Sequence, residues 1–264
     1  MPKVRVGDID MFYVEAGEGA PLVLIMGFTL DHTTWRLQIP VLSRYYRVIA
    51  FDNRGVGQTD APDHPCTVGM MANDTVGLMN VLGIERAHLI AVSMGGRIAQ
   101  ELTLNHADRV RSLHLGCSTA RRDAHPRVRA FHEARRTLRA ETMARISAPW
   151  FLAPATFNHR PQFVEMVMHH ELNNPYPQSA VGLKRQAQSI AAAKDSLERL
   201  ETIRCPTLVS VGEDDILMPP HLSREIAERI PGADFRVIPR AGHLYFLERP
   251  DEINELCLEF LAKH

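Results

Sequence analysis

Apolar residues in this chain gather into short strand-like runs at residues 21–26, 47–51, 87–92, 110–115, 207–211 and 234–238, unbroken in the first and interrupted by Arg111, Ser112 and His114 in the fourth and by Arg236 in the last. Runs of this length without polar alternation predict strands buried on both faces, as in a parallel sheet covered by helices on each side. The opening differs: residues 3–6 and 11–15, separated by Gly7, Asp8, Ile9 and Asp10, predict an antiparallel hairpin. Helical periodicity fills the intervals. Residues 68–82 end at Gly83, placed as a C-cap glycine, and residues 97–105 turn Ile98 and Leu102 inward. Residues 250–261 carry Pro250 in the first turn and Ile253, Leu256, Cys257, Phe260 and Leu261 at helical spacing. Strand and helix therefore alternate, which predicts an α/β protein with a mostly parallel sheet.

The alternation fails between Thr119 and Leu200, a stretch far too long for a loop. It predicts a helical insertion at 119–200 that divides one core into 1–118 and 201–264. Its first half is rich in arginine, including Arg121, Arg127, Arg135 and Arg136, against Asp123, Glu133 and Glu141. That excess reads as a solvated helix face. Prolines at 149, 154, 161, 175 and 177 cut the remainder into short helices, with Trp150, Phe151 and Phe157 among its apolar residues.

Candidate chemistry begins where the run Leu89-Ile90-Ala91-Val92 stops at Ser93-Met94-Gly95-Gly96. A buried strand that turns at once into a helix, with a serine at the turn and glycines after it, has the pattern of a nucleophile elbow. A serine hydroxyl is a poor nucleophile near neutral pH, so it needs a base and an acid that orients the base. Both follow in order. Gly212-Glu213-Asp214-Asp215 closes the run at 207–211, and Ala241-Gly242-His243 follows the run at 234–238.

On these residues the chain resembles the α/β-hydrolases over essentially its full length. Phe51-Asp52-Asn53-Arg54-Gly55-Val56-Gly57-Gln58-Thr59 resembles the family's D-x-R-G-x-G-x-S stretch, with threonine last. Leu22 to Phe28 resembles the strand leading into its oxyanion loop, with Met26 where the family carries histidine, and Ala91 stands where the elbow normally has glycine. The resemblance implies an α/β-hydrolase fold: a mostly parallel eight-stranded sheet, helices on both faces and a helical cap. It selects Asp215 through G-x-x-D-x-x-x-P and His243 through G-H-x4-E-x-P, giving Ser93, Asp215 and His243 as the implied triad. It also implies oxyanion donors from the backbone N–H groups of Phe28 and Met94.

Within the family the likeness is to carboxylesterases and enol-lactonases, implying a small to medium, largely apolar ester or lactone as substrate. The same triad also serves carbon–carbon bond hydrolases, perhydrolases and hydrolase-like receptors. His32, just after the oxyanion loop, and Trp150 and Phe151 in the insertion are the expected substrate contacts. Asp52 and Arg54 are expected to form a structural ion pair.

No metal or organic cofactor is implied. His169-His170-Glu171 lacks ligand spacing, because adjacent helical histidines point in different directions. The formal net charge of −1 gives no reason to expect nucleic acid as a partner. No apolar run reaches the roughly 18 residues of a membrane helix, and the opening Met1-Pro2-Lys3-Val4-Arg5 lacks a signal-peptide core, so a cytoplasmic location is expected. Cys66, Cys117, Cys205 and Cys257, scattered without paired spacing, read as reduced core or near-core residues. Oligomeric state is not legible.

Overall fold

In the computed structural model, residues 3–122 and 126–264 are described, with residues 126–128, 132, 136 and 140 described as backbone alone. The apolar runs form β1 (Lys3–Val6), β2 (Ile9–Ala16), β3 (Pro21–Ile25), β4 (Arg47–Phe51), β5 (Ala87–Val92), β6 (Val110–Gly116), β7 (Thr207–Gly212) and β8 (Asp234–Ile238). They make one eight-stranded sheet in the order β1-β2-β4-β3-β5-β6-β7-β8. β2 runs antiparallel to both β1 and β4, and every other pairing is parallel. The hairpin is tighter than the sequence predicts: Ile9 pairs with Val6, leaving Gly7 and Asp8 as the turn, with Gly7 at φ 55°. Glycine at the first turn position supplies the positive φ that matches the strand twist.

Helices are α1 (Ile39–Leu42), α2 (Val68–Val81), α3 (Met94–Asn105), α4 (Pro126–Thr137), α5 (Ala140–Phe151), α6 (Pro154–His159), α7 (Pro161–Leu172), α8 (Ala180–Ala192), α9 (Pro220–Arg229), α10 (Tyr245–Glu248) and α11 (Pro250–Leu261). The inner strands β3, β4, β5 and β7 are buried on both faces, which is why they read as apolar runs, whereas the edge strands β1 and β8 are largely exposed. Along β3, Val23 and Ile25 enter one apolar layer with Met71, Ile98, Leu102 and Ile226 of α2, α3 and α9. Leu22 and Leu24, with Met26 beyond the strand end, enter the opposite layer with Leu42, Ile253, Cys257 and Phe260 of α1 and α11.

Asp52 and Arg54 leave the end of β4 in different directions, contrary to the expected pair. Arg54 is held by Asp74 at 2.6 and 2.8 Å and by Asp8 at 2.9 Å. Asp52, fully buried, instead accepts the His32 amide and faces His32 Nδ1, both at 2.8 Å, and accepts the Gln58 amide at 2.9 Å.

Helices α4 to α8 occupy the stretch between β6 and β7. α8 docks where Gly182 meets Gly55: a Cβ on Gly182 would lie 2.1 Å from the Gly55 carbonyl oxygen. Gln186 fastens the same contact by donating to the Arg54 carbonyl at 3.0 Å and accepting the Thr29 amide at 3.2 Å. In the basic half, Arg121 pairs with Glu225 at 2.7 Å and Arg135 pairs with Glu171. Asp123 and the side chains of Arg127 and Arg136 lie outside the described residues.

Candidate active site

β5 delivers the chain to Ser93, whose backbone sits at φ 56°, ψ −121°. A non-glycine residue held there costs about 1–3 kcal/mol, and the surroundings must over-determine it. The Ser93 amide donates to the Gly116 carbonyl at 2.9 Å, and the Ser118 hydroxyl donates to the Ser93 carbonyl at 2.8 Å. Close approach is possible because the neighbours are glycines. A Cβ on Gly95 would lie 2.2 Å from the Ile25 carbonyl oxygen, and one on Gly96 would lie 2.6 Å from the Ser118 side chain. Ala91 is tolerated in place of the family's glycine and is fully buried within β5. Serine before a helix ordinarily caps it, but the Ser93 side chain makes no bond to the first amides of α3. The strained backbone turns it toward a cavity instead, where the residue stays partly exposed.

His243 and Asp215 arrive on the loops after β8 and β7. Asp215 Oδ2 lies 2.7 Å from His243 Nδ1, and both residues are buried. The other oxygen, Oδ1, accepts the amides of Leu217 at 2.9 Å and Met218 at 2.8 Å, which holds the carboxylate against the ring. Asp214 ties its amide to the Ala241 carbonyl at 2.9 Å, and its carboxyl is raised by burial and by neighbouring Glu213. Of the two adjacent acids, Asp215 is the one against the histidine. Burial alone would lower the His243 pKa; the Asp215 carboxylate outweighs it and raises the value well above 6.5.

Sequence reasoning missed Cys117. It follows β6 at φ 40°, is fully buried, and its Sγ, a His243 ring nitrogen and an Asp215 oxygen lie within 4.8 Å of one another. Burial pushes its thiol pKa up, so it is a neutral neighbour of the imidazole. The signal was present in the strand order: β6 pairs with β5, so the residue after its carboxyl end falls beside Ser93. Glu248, the glutamate of the G-H-x4-E-x-P stretch, was given no role by the sequence, and its oxygens accept the amides of Gly242 and Ala153 and the Thr156 hydroxyl. A second serine–histidine contact, Ser210 Oγ to His114 Nε2 at 2.7 Å, continues to the Tyr245 hydroxyl at 2.7 Å. This chain is packed inside the sheet layer and lines neither cavity described below.

Ser93 and His243 open on one narrow cavity of about 40 Å³, lined also by Gly27, Phe28, Cys117, Phe131 and Met218. A Cβ on Gly27 would come within 3.0 Å of Ser93 Cβ, so the loop carrying Phe28 passes directly over the serine. The strand-end carbonyl of Met26 is taken up by Asn53 Nδ2 at 2.8 Å. Met94 is the first residue of α3, and its N–H has no acceptor within the helix. The positive end of the α3 dipole therefore faces the same space.

A larger cavity of about 290 Å³ lies beyond, and Leu30, Phe151 and Leu244 line both. Phe151 is thus a wall of the site, with its ring 5.9 Å from that of His243. Trp150 and His32 line neither cavity. Trp150 packs on Phe131 at 5.7 Å; His32, bound to Asp52, lies between Phe12 at 4.8 Å and Tyr176 at 5.8 Å.

Asp31, His32 and Asp52 also bring potential ligand atoms within 4.8 Å of one another. Their oxygens are committed: Asp52 to His32 and Gln58, Asp31 to Thr33 and Asn174. The His169-His170-Glu171 run disperses to separate partners, Asn173, Thr33 and Arg135.

A model of the alpha/beta hydrolase fold family matches residues 20–250. Among curated relatives, a protein of Caulobacter sp. (strain K31) provisionally named a carbamate hydrolase, RutD, is 35% identical, with 98% of each chain covered. Among solved structures, a thermophilic esterase from Thermogutta terrifontis, described with malate bound, is 32% identical with a TM-score of 0.89, covering 100% of this chain and 99% of its own. The enol-lactonase from Burkholderia xenovorans LB400 is 28% identical with a TM-score of 0.89, covering 99% of this chain and 100% of its own.

Proposed function

The chain belongs to the α/β-hydrolase family, and from that footing we propose that it is a serine hydrolase cleaving a carboxylic ester or lactone. The observation that carries the reading is the strained Ser93 turn opening on the same cavity as an imidazole tied at 2.7 Å to Asp215. Its likeness to a named esterase and a named enol-lactonase supports the choice of bond.

Ser93 Oγ attacks the substrate carbonyl while His243 takes its proton. Asp215 holds the ring through Nδ1 and stabilises its charged form. The N–H groups of Phe28 and Met94 receive the developing oxyanion, at the positive end of α3. His243 then returns the proton to the leaving alcohol, and as base it activates the water that resolves the acyl-enzyme. Residues 119–200 act as a cap whose Phe151 shapes the substrate space. Neither nucleic acid nor membrane enters this reading, and among the described residues no helix is long and apolar enough to cross a membrane.

The test is hydrolysis of p-nitrophenyl acetate and hexanoate under multiple turnover. Sustained release supports a hydrolase; a burst that stops after one equivalent supports a binding protein on the same fold.

A further inference from the structure

The loop that carries Phe28 is fastened from two sides. On the core side, Asn53 Nδ2 donates to the Met26 carbonyl at 2.8 Å and Asp52 accepts the His32 amide at 2.8 Å. Between these anchors lies Thr29, at φ 66°. A β-branched residue is a rare occupant of that left-handed region, and it stays there only where its surroundings hold it. The Thr29 hydroxyl is buried without a hydrogen-bond partner, so it supplies no such hold. The Thr29 amide does, by donating to Gln186 Oε1 at 3.2 Å. The bond on the strained residue therefore comes from the inserted helices and not from the core.

Gln186 is itself held in place. Fully buried on α8, it donates from Nε2 to the Arg54 carbonyl at 3.0 Å, and its Oε1 also accepts Gln178 Nε2 at 3.0 Å, which donates in turn to the Gly55 carbonyl at 2.9 Å. The close meeting of Gly182 with Gly55 sets how near α8 can lie. Without that acceptor the Thr29 amide would be left unpaired in a strained conformation, and rotation of the Phe28–Thr29 peptide would relieve both penalties at once. That peptide adjoins the Phe28 N–H, and a donor moved off the position of the developing oxyanion loses its effect on the transition state. We propose that Gln186 is a positioning residue: α8, when docked, holds the Phe28 N–H in its donating position through Thr29, so the inserted helices serve the chemical step as well as the choice of substrate. The proposal rests on the serine hydrolase reading and adds to it what holds the oxyanion donor.

The experiment measures p-nitrophenyl acetate hydrolysis and inhibition by an alkyl trifluoromethyl ketone. Ser93 Oγ adds to the ketone carbonyl, its proton passes to His243 and the ketone oxygen becomes the oxyanion, so the inhibitor reads the donors without a leaving group. Gln186→Met, which keeps the length and removes both polar ends, lowers kcat by about tenfold or more with KM within about twofold, and weakens the ketone by a similar factor. Glycine takes a positive φ without strain, so adding Thr29→Gly to Gln186→Met recovers about threefold or more of the lost kcat, which repair of a merely loosened fold would not do. An unchanged kcat, ketone inhibition that does not weaken with kcat, or no recovery on adding Thr29→Gly overturns the proposal. If Gln186→Met does not fold, Gly182→Ala displaces α8 by another route and is read in the same way, with and without Thr29→Gly. Turnover that survives Ser93→Ala defeats the hydrolase reading and this proposal with it; turnover that needs Ser93 but ignores Gln186→Met defeats the proposal alone.

Discussion

The Glu248 carboxylate accepts the Gly242 amide at 2.6 Å, one residue before His243, and its other oxygen accepts the Ala153 amide at 2.9 Å. A single buried acid thus joins the histidine loop to the inserted helices. The close fit depends on glycine, since a Cβ on Gly242 would lie 2.6 Å from the Phe151 carbonyl oxygen. Glu248→Gln sets an N–H donor against backbone N–H donors, and it should destabilise the fold by about 2–4 kcal/mol and lower kcat together. Urea unfolding and steady-state kinetics on the same protein check this; an unchanged midpoint removes the clamp from the account.

Asp215→Asn should lower kcat/KM by about 10⁴, because the amide favours the wrong imidazole tautomer, whereas Asp214→Asn should have a mild effect. The pH profile supplies a second readout. His243 must be neutral to act as base, and its pKa is raised above 6.5, so kcat/KM should climb through an inflection above that value. Any activity left in Asp215→Asn should show the inflection displaced to lower pH. Equal losses from the two aspartate variants would contradict the assignment.

Phe151 and Trp150 are neighbours in sequence with different work. Phe151→Ala should change the ranking of acyl chain lengths by about tenfold, the scale of a lost apolar contact in a substrate pocket. Trp150→Ala should lower the melting temperature and leave the ranking intact. Kinetics on acetate, hexanoate and a ring lactone, with thermal unfolding of each variant, separate the two.

This contrast marks what the sequence made legible. The parallel strands are visible because burial on both faces leaves no polar alternation, as in Leu22 to Ile25, and the elbow is visible because Gly95 and Gly96 must be small. Contacts that depend on how the insertion docks are not visible. A helix turns about 100° per residue, so adjacent aromatics diverge: both meet Phe131, but Phe151 also faces His243 and lines the cavities while Trp150 lines neither. His32 and Arg36 sit close together after the loop that carries Phe28, and composition cannot tell that Asp52 claims the first while the second lines a cavity. The expected Asp52–Arg54 pair fails for the same reason: its partners, Asp74 and His32, come from elsewhere in the fold.

Two buried histidines set an acid limit on stability. Burial lowers the pKa of His114 to about 4; burial, followed by nearby Arg111, lowers that of His88 to about 4. Between about 4 and 6.5 the unfolded chain binds these protons and the folded chain does not, so stability rises with pH across that window. His243 has the opposite sign: its raised pKa contributes stability below 6.5 that is lost as pH rises through the folded value. Denaturant unfolding at several pH values should show the acid-side fall, up to about 1.4 kcal/mol per pH unit for each histidine. A flat stability profile between pH 4 and 6.5 would contradict it.

The central claim is that Ser93 is the nucleophile, and covalent labelling tests it most directly. A p-nitrophenyl phosphonate should add stoichiometrically to the wild-type protein, release p-nitrophenol and end ester hydrolysis, with peptide mass spectrometry placing the adduct on Ser93. Ser93→Ala should neither take up the label nor hydrolyse p-nitrophenyl acetate. An adduct on another residue, or steady turnover in Ser93→Ala, would contradict the account.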